Sequence, residues 1–196
     1  MLISVTNRHL CNNNFLNQIE QICISKPYAI ILREKDLSID KYIELASKVM
    51  NLCSKYNVKF YINHFIEAAI NLNVKNVQVS FNQLISHPDI CIDFNVFVSV
   101  HTLEEAIIAD SMKVNGIIAG HIFKTDCKKD LEPKGVEFIH LISQRISTPL
   151  LAIGGINIQN AQEVICYGAS GFCVMSELMK SDSVNNLISN YKQISE

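Results

Sequence analysis

A single-domain (β/α)8 barrel is the fold class this sequence predicts, on three observations. Eight short β-branched runs recur at near-even intervals along the 196 residues. Most lack polar alternation, as strands buried on both faces of a parallel sheet do. Segments with a helical apolar period lie between them, and eight alternating strand and helix units define this barrel class. The chain is short for the fold, so its loops must be tight. An open doubly wound sheet is the alternative, but the GxGxxG fingerprint that would follow its first strand is absent. No linker, repeat or low-complexity tract interrupts residues 1–196, which read as one domain.

The units follow in order. Leu2–Val5 is the first strand, and Phe15–Ile24 carries a weaker helical pattern. Ala29–Leu32 precedes Ile39–Cys53, where Ile39, Tyr42, Ile43, Ala46, Val49, Met50 and Cys53 form a stripe of 3.6-residue period. Lys59–Ile62 with Phe65–Leu72, and Asn76–Val79 with Phe81–Ser86, make the next two units. Asn95–Val100 leads to Leu103–Ser111, for which Thr102 is the expected N-cap. Gly116–Ala119 is followed, after a long loop, by Val136–Arg145. Leu150–Ile153 precedes Asn157–Cys166, with Asn157 as cap, and Gly171–Val174 precedes a last helix over Ser183–Ile194.

Composition excludes several classes. An apolar fraction of 48% is that of a globular chain, not a disordered one. Charged residues make up 18%, below the usual ~25%, so Asn, Gln, Ser and Thr must supply much of the polar surface. A formal net charge of −2 gives no general drive toward nucleic acid or acidic membranes. No apolar run approaches the ~18 residues of a membrane span, and Met1–Val5 lacks the basic start of a signal peptide. The seven cysteines are odd in number and widely spaced, with no CxxC. They read as reduced thiols of a cytoplasmic protein, not as a zinc cluster or a disulfide framework.

In this fold the active site lies at the C-terminal ends of the strands, which filters the candidates. Arg33 and Lys35 follow the second strand, alternating so that both face one way and Glu34 the other. They suit an anion, and a solvated charge run is the competing reading. Gly154-Gly155 and Met175-Ser176 follow the last two strands, where barrels commonly hold phosphate on backbone N–H groups. The glycines also read simply as tight turns. His121 lies one step past the sixth strand, where a histidine can give and take a proton near neutral pH. A hydrogen-bonded structural histidine is the other reading, and residue chemistry alone does not rank His121 above His64 or His101. No nucleophile motif, Walker loop or metal-spaced histidine pair is present.

Five motifs carry a family resemblance: Leu32–Asp36, Ile62-Asn63, Ser99–His101, Ala152–Ile156 and Val174–Ser176. Together they resemble the thiamine phosphate synthase superfamily, in order, over about residues 2–180. The segment Gly120–Lys129 is more specifically similar to the TenI branch, which contains thiazole tautomerases. The resemblance implies a barrel that binds a thiazole phosphate. Synthases of this superfamily join a pyrimidine pyrophosphate to a thiazole phosphate and use magnesium held by two carboxylates. At those two positions this chain has His64 and Gln83, poor ligands for a hard cation. His121 stands where the synthase has proline, and Cys127 replaces a hydroxyl residue.

The resemblance and these departures together predict a thiazole tautomerase, an isomerase needing neither metal nor cofactor. His121 would move the proton. Gly155, Met175, Ser176 and Thr125 would hold the phosphate, while Arg33, Lys35 and Lys128 would bind a carboxylate or keep the mouth positive. Asn63 and Ser99 match the synthase motif without an evident task. A thiamine phosphate synthase and a non-catalytic thiazole phosphate sensor are the alternatives. The expected partner is a small phosphorylated thiazole, with no nucleic acid or membrane, and homo-oligomerisation is left open.

Overall fold

Successive side chains of a strand face opposite ways, and here both faces are apolar. Ile3, Val5, Ala29, Ile31, Tyr61, Phe97, Ile118, Leu151 and Cys173 form one buried cluster, the barrel interior. The residues between them, such as Leu2, Ile30, Leu32, Ile62, Val77 and Val98, join a second, larger cluster beneath the helices. A sheet buried on both faces explains why the strands read as unbroken apolar runs. The structure, a computed structural model, describes residues 1–125 and 131–195.

Among these residues eight parallel strands close into a ring in sequence order, β1 pairing with both β2 and β8. The strands are β1 (Leu2–Val5), β2 (Ala29–Leu32), β3 (Lys59–Asn63), β4 (Asn76–Ser80), β5 (Asn95–Val100), β6 (Gly116–Gly120), β7 (Leu150–Ile153) and β8 (Gly171–Val174). The helices are α1 (Phe15–Ile24), α2 (Ile39–Lys55), α3 (Ile66–Asn71), α4 (Phe81–Ser86), α5 (Ile90–Asp93), α6 (Leu103–Ser111), α7 (Gly135–Ser143), α8 (Ala161–Cys166), α9 (Ser176–Lys180) and α10 (Val184–Ser195). The β1–β8 pairing removes the open-sheet alternative. Inside the ring the Tyr61 and Phe97 rings sit 4.6 Å apart, and Gly116 makes room for them. A Cβ at Gly116 would lie 2.7 Å from the Phe97 ring.

Side-chain caps set the starts of three helices, α1, α4 and α6. Asn14 accepts from the N–H groups of Leu16 and Asn17, and Thr102 from Glu105. Helix α8 differs from expectation. Asn157 accepts from Gln159 and Asn160 N–H at 2.9 and 3.2 Å, closing one turn before the helix, so the cap position passes to Asn160. Helices α5 and α9, and a 3-10 turn at Arg8–Leu10, are three to five residues long, too short for a period to be visible. Strands β3, β4 and β6 each run one residue beyond the apolar pattern, to Asn63, Ser80 and Gly120. The six described cysteines carry no disulfide, and Cys23 and Cys53 sulfurs stand 3.9 Å apart. Among the described residues no helix is long and apolar enough to cross a membrane.

One buried hydroxyl ties the helical layer to the sheet. Tyr42, fully buried on α2, donates to the Leu32 carbonyl at 2.6 Å and accepts from Asn63 N–H at 3.1 Å. Desolvation raises its pKa well above the ordinary phenol value, keeping it a neutral donor. Tyr42→Phe leaves a carbonyl and an N–H unpaired in the core. The expected cost is about 2–3 kcal/mol, read as a lower urea midpoint with unchanged slope.

Candidate active site

The two-residue strand period that turns Ile31 and Tyr61 into the barrel turns Arg33 and Asn63 the same way one step further along. Gln78, Ser80, Ser99, His101 and Gly120 follow by the same parity on β4, β5 and β6. These residues line a cavity of about 1350 Å³ at the C-terminal ends of the strands. Apolar side chains therefore close the barrel below, and polar ones form the wall above.

On the β2 side a buried carboxylate sets the direction of the rim. Glu34 is 2% exposed and accepts from the Thr6 hydroxyl at 2.7 Å, from Arg8 N–H at 3.0 Å and from the Arg8 guanidinium at 2.9 Å. Thr6 Oγ1 in turn accepts from Arg33 N–H at 2.9 Å. With Glu34 held outward, Arg33 and Lys35 line the cavity, and no ion pair among the described residues neutralises either. Burial, and then the charge of Arg33, push the Lys35 ammonium below the ordinary lysine value. Asp36 does not offset them. It is bound to Arg8 and His9, and its hydrogen bond from Arg8 holds it well below the usual carboxylate range.

Between β3 and β5 runs a chain of amides whose orientation is dictated end to end. Gln78 Nε2 donates to the Val79 carbonyl at 2.9 Å and to Ser99 Oγ at 2.8 Å. Its Oε1 therefore faces Asn63, whose Nδ2 donates to it at 2.5 Å. That leaves Asn63 Oδ1, on a residue 4% exposed, as a buried acceptor without a partner among the described residues. Such an atom costs free energy until a donor reaches it.

The β6–β8 side is built from loops in close contact. Gly154, at φ +105°, lies where a Cβ would come 2.4 Å from His121 Cβ. Gly155, at φ +66°, lies where a Cβ would come 2.5 Å from the Lys124 carbonyl oxygen. Phe123 N–H donates to the Gly154 carbonyl at 2.9 Å. The paired glycines thus let the β6 loop lie directly on the β7 loop. His121 is 5% exposed, with Nε2 3.2 Å from the Leu131 carbonyl, and it lines the cavity with Thr125, Gly155, Met175 and Ser176. Lys124 and Lys180 add positive charge on this side. The one carboxylate among the described lining residues, Glu177, accepts from the Tyr191 hydroxyl. Burial pushes the Cys173 thiol on the cavity floor up to about 12, so it is no thiolate nucleophile near neutral pH.

All the expected site residues except one therefore meet in this cavity: Arg33, Lys35, Asn63, Ser99, His121, Thr125, Gly155, Met175 and Ser176. Lys128 lies outside the described residues. Of the rival histidines, His101 lines the cavity, with Nδ1 2.7 Å from the Gly120 carbonyl, whereas His64 is not among its lining residues. Sequence reasoning missed Gln78 and Lys180 as site residues. Gln78 was detectable, since a lone glutamine at an inward position of an apolar strand needs a polar neighbour. Lys180 was not, because the five-residue helix that carries it has no readable period.

The divalent-ion donors of the synthase pattern do not fit here. Gln83 is engaged at the start of α4, accepting from Ser80 N–H and donating to the His64 carbonyl at 2.9 Å. Among the described residues no three His, Cys, Asp or Glu side chains are placed to share a metal ion. The donor set at these positions is an imidazole and an amide, unsuited to a hard cation.

Fold and cavity define a (β/α)8 barrel with a cation-lined, amide-walled pocket at the C-terminal ends of its strands. The chain belongs to the thiamine monophosphate synthase (TMP-TENI) family, whose model matches residues 2–178. Similar curated proteins are the thiamine-phosphate synthase of Clostridium novyi, 29% identical over 93% of this chain and 92% of that protein, and that of Shouchella clausii, 32% identical over 79% and 76%. Among solved structures, the thiamine phosphate pyrophosphorylase of Pyrococcus furiosus superposes with a TM-score of 0.85 at 24% identity, covering 99% of this chain and 94% of that one. The superfamily resemblance and the barrel are thereby established. The isomerase expectation is overturned: the relatives that match across most of the chain carry the name of a synthase, a transferase, and the TenI-type assignment is not supported. The proton-shuttle role given to His121 belonged to that isomerase and goes with it.

Proposed function

We propose that this chain is a thiamine-phosphate synthase, joining a pyrimidine carried as its diphosphate ester to a thiazole phosphate. The names carried by similar curated proteins support the reading. The structural observation that carries it is a pair of cationic sectors facing each other across one cavity. Arg33 and Lys35 stand beyond β2, and Lys124 stands beyond β6, four strands away in the ring of eight, with Lys180 beyond β8. Two separated anion sites suit two phosphorylated substrates. The volume agrees: about 1350 Å³ exceeds the ~300–1,000 Å³ typical of a pocket for one small ligand.

In this reading Arg33 and Lys35 take the diphosphate. Gly155, Met175, Ser176 and Thr125 hold the thiazole phosphate, and His121 contacts the thiazole beside them. Asn63 Oδ1 accepts an N–H of the pyrimidine, with Ser99 and Gln78 holding it in place. The reaction breaks the pyrimidine's carbon–oxygen bond to the diphosphate and forms its bond to the thiazole. Negative charge grows on the departing oxygen, where a cation already in place stabilises it. The whole chain, residues 1–196, acts as one domain. The test is incubation of both substrates with the protein, following the joined product and free diphosphate by mass spectrometry and phosphate release. Formation of both in equal amounts is expected, and their absence with folded protein sinks the reading.

A further inference from the structure

The diphosphate end of the cavity raises a charge problem that the family's pattern normally answers with a protein-held divalent ion. Here Gln83 is occupied in a helix cap, and neither it nor His64 lines the cavity. The nearby carboxylates are engaged as well. Glu34 and Asp36 are bound to Arg8, and Glu177 to Tyr191. Against this, Arg33 and Lys35 are adjacent cations with no ion pair among the described residues. Two like charges held together without a counter-ion are a standing cost that a polyanion relieves. Burial first, and the charge of Arg33 second, lower the Lys35 ammonium below the ordinary lysine value.

We propose that the chain neutralises the diphosphate with its own cations, Arg33 and Lys35, and that anion binding at the β2 rim requires no divalent metal held by the protein. The planar Arg33 fork can bridge two oxygens of one phosphoryl group, and Lys35 adds a point charge beside it. Glu34 serves both by its absence from the cavity: the Thr6–Glu34–Arg8 cluster turns the intervening carboxylate outward. The inference rests on the synthase reading only for the identity of the anion.

The experiment is calorimetric titration of inorganic pyrophosphate into the full chain, once in excess chelator and once with millimolar Mg²⁺, together with titration of Mn²⁺ alone followed by electron paramagnetic resonance. Binding in chelator, no tighter with Mg²⁺, is expected, and Mn²⁺ alone should not bind at micromolar concentration. Arg33→Met should weaken pyrophosphate binding in chelator at least tenfold. Binding seen only with Mg²⁺, a tenfold gain from it, micromolar Mn²⁺ binding, or an Arg33→Met variant of unchanged affinity would each overturn the proposal. None of these readouts involves turnover. A protein that binds pyrophosphate without metal yet forms no joined product refutes the synthase reading alone, and one that condenses the substrates but binds pyrophosphate only with Mg²⁺ refutes this inference alone.

Discussion

Arg33→Met should lower kcat/KM for the condensation by about 10²–10³-fold, with much of the loss in kcat. Charge-assisted hydrogen bonds are worth about 1.5–3 kcal/mol, and a donor aimed at developing negative charge about 2.7–4 kcal/mol. The side chain lines the cavity without an ion-pair partner among the described residues, so removing it leaves no buried charge behind. Folding should therefore be nearly unaffected. Arg33→Lys should fall between, since it keeps the charge and loses the planar fork. Steady-state kinetics of the three proteins decide the matter, with Lys48→Met as control; Lys48 pairs with Glu44 on the exposed face of α2. Equal kcat/KM in Arg33→Met and the parent would remove Arg33 from the site.

Gly155→Val should weaken thiazole phosphate binding by roughly 10²-fold or more and destabilise the fold by about 2–3 kcal/mol. Two separate causes act at this residue. At φ +66° a β-branched side chain is strained whatever space surrounds it. Its Cβ would also lie 2.5 Å from the Lys124 carbonyl oxygen and 2.8 Å from Phe123 Cβ. The β6 loop must then lift away from β7, carrying Lys124 and Thr125 with it. Gly168→Val separates strain from site. Gly168 has φ +100° and a Cβ there would lie 2.6 Å from Ser143 Oγ, but it does not line the cavity. It should lose similar stability and keep its affinity. Calorimetry with thiazole phosphate checks both variants. A folded Gly155→Val protein of parental affinity would show that the phosphate sits elsewhere.

The strands were readable because nothing in them depends on distant partners. Burial on both faces demands apolar residues at every position, and that demand is written locally. The reading fell one residue short at Asn63, Ser80 and Gly120 for the same reason, since these extend the backbone ladder without an apolar side chain to mark them. The cap at Asn157 was misplaced because asparagine closes a turn as readily as it starts a helix, and which one occurs depends on the residues it meets. Activity was misjudged on four departures from the synthase pattern, His64, Gln83, His121 and Cys127, and on the TenI-like segment Gly120–Lys129. The first two bear on how charge is neutralised, and none of the four by itself decides which bond is made.

The sequence by itself determined the barrel, its strand order and the rim on which polar residues must gather, because parity along a strand and the apolar demand of a two-faced sheet are short-range rules. Only the tertiary structure decided how those residues are aimed. Glu34 is turned outward by Thr6 and Arg8, 28 and 26 residues away, which frees Arg33 and Lys35 for the cavity. Asn63 presents an oxygen unpaired among the described residues because Gln78, 15 residues on, is oriented by the Val79 carbonyl. Gly154 and Gly155 need to be glycine because the β6 loop comes to lie on them. Side-chain direction is set by hydrogen bonds and contacts between segments that meet only when the ring closes, so no local pattern in the chain records it.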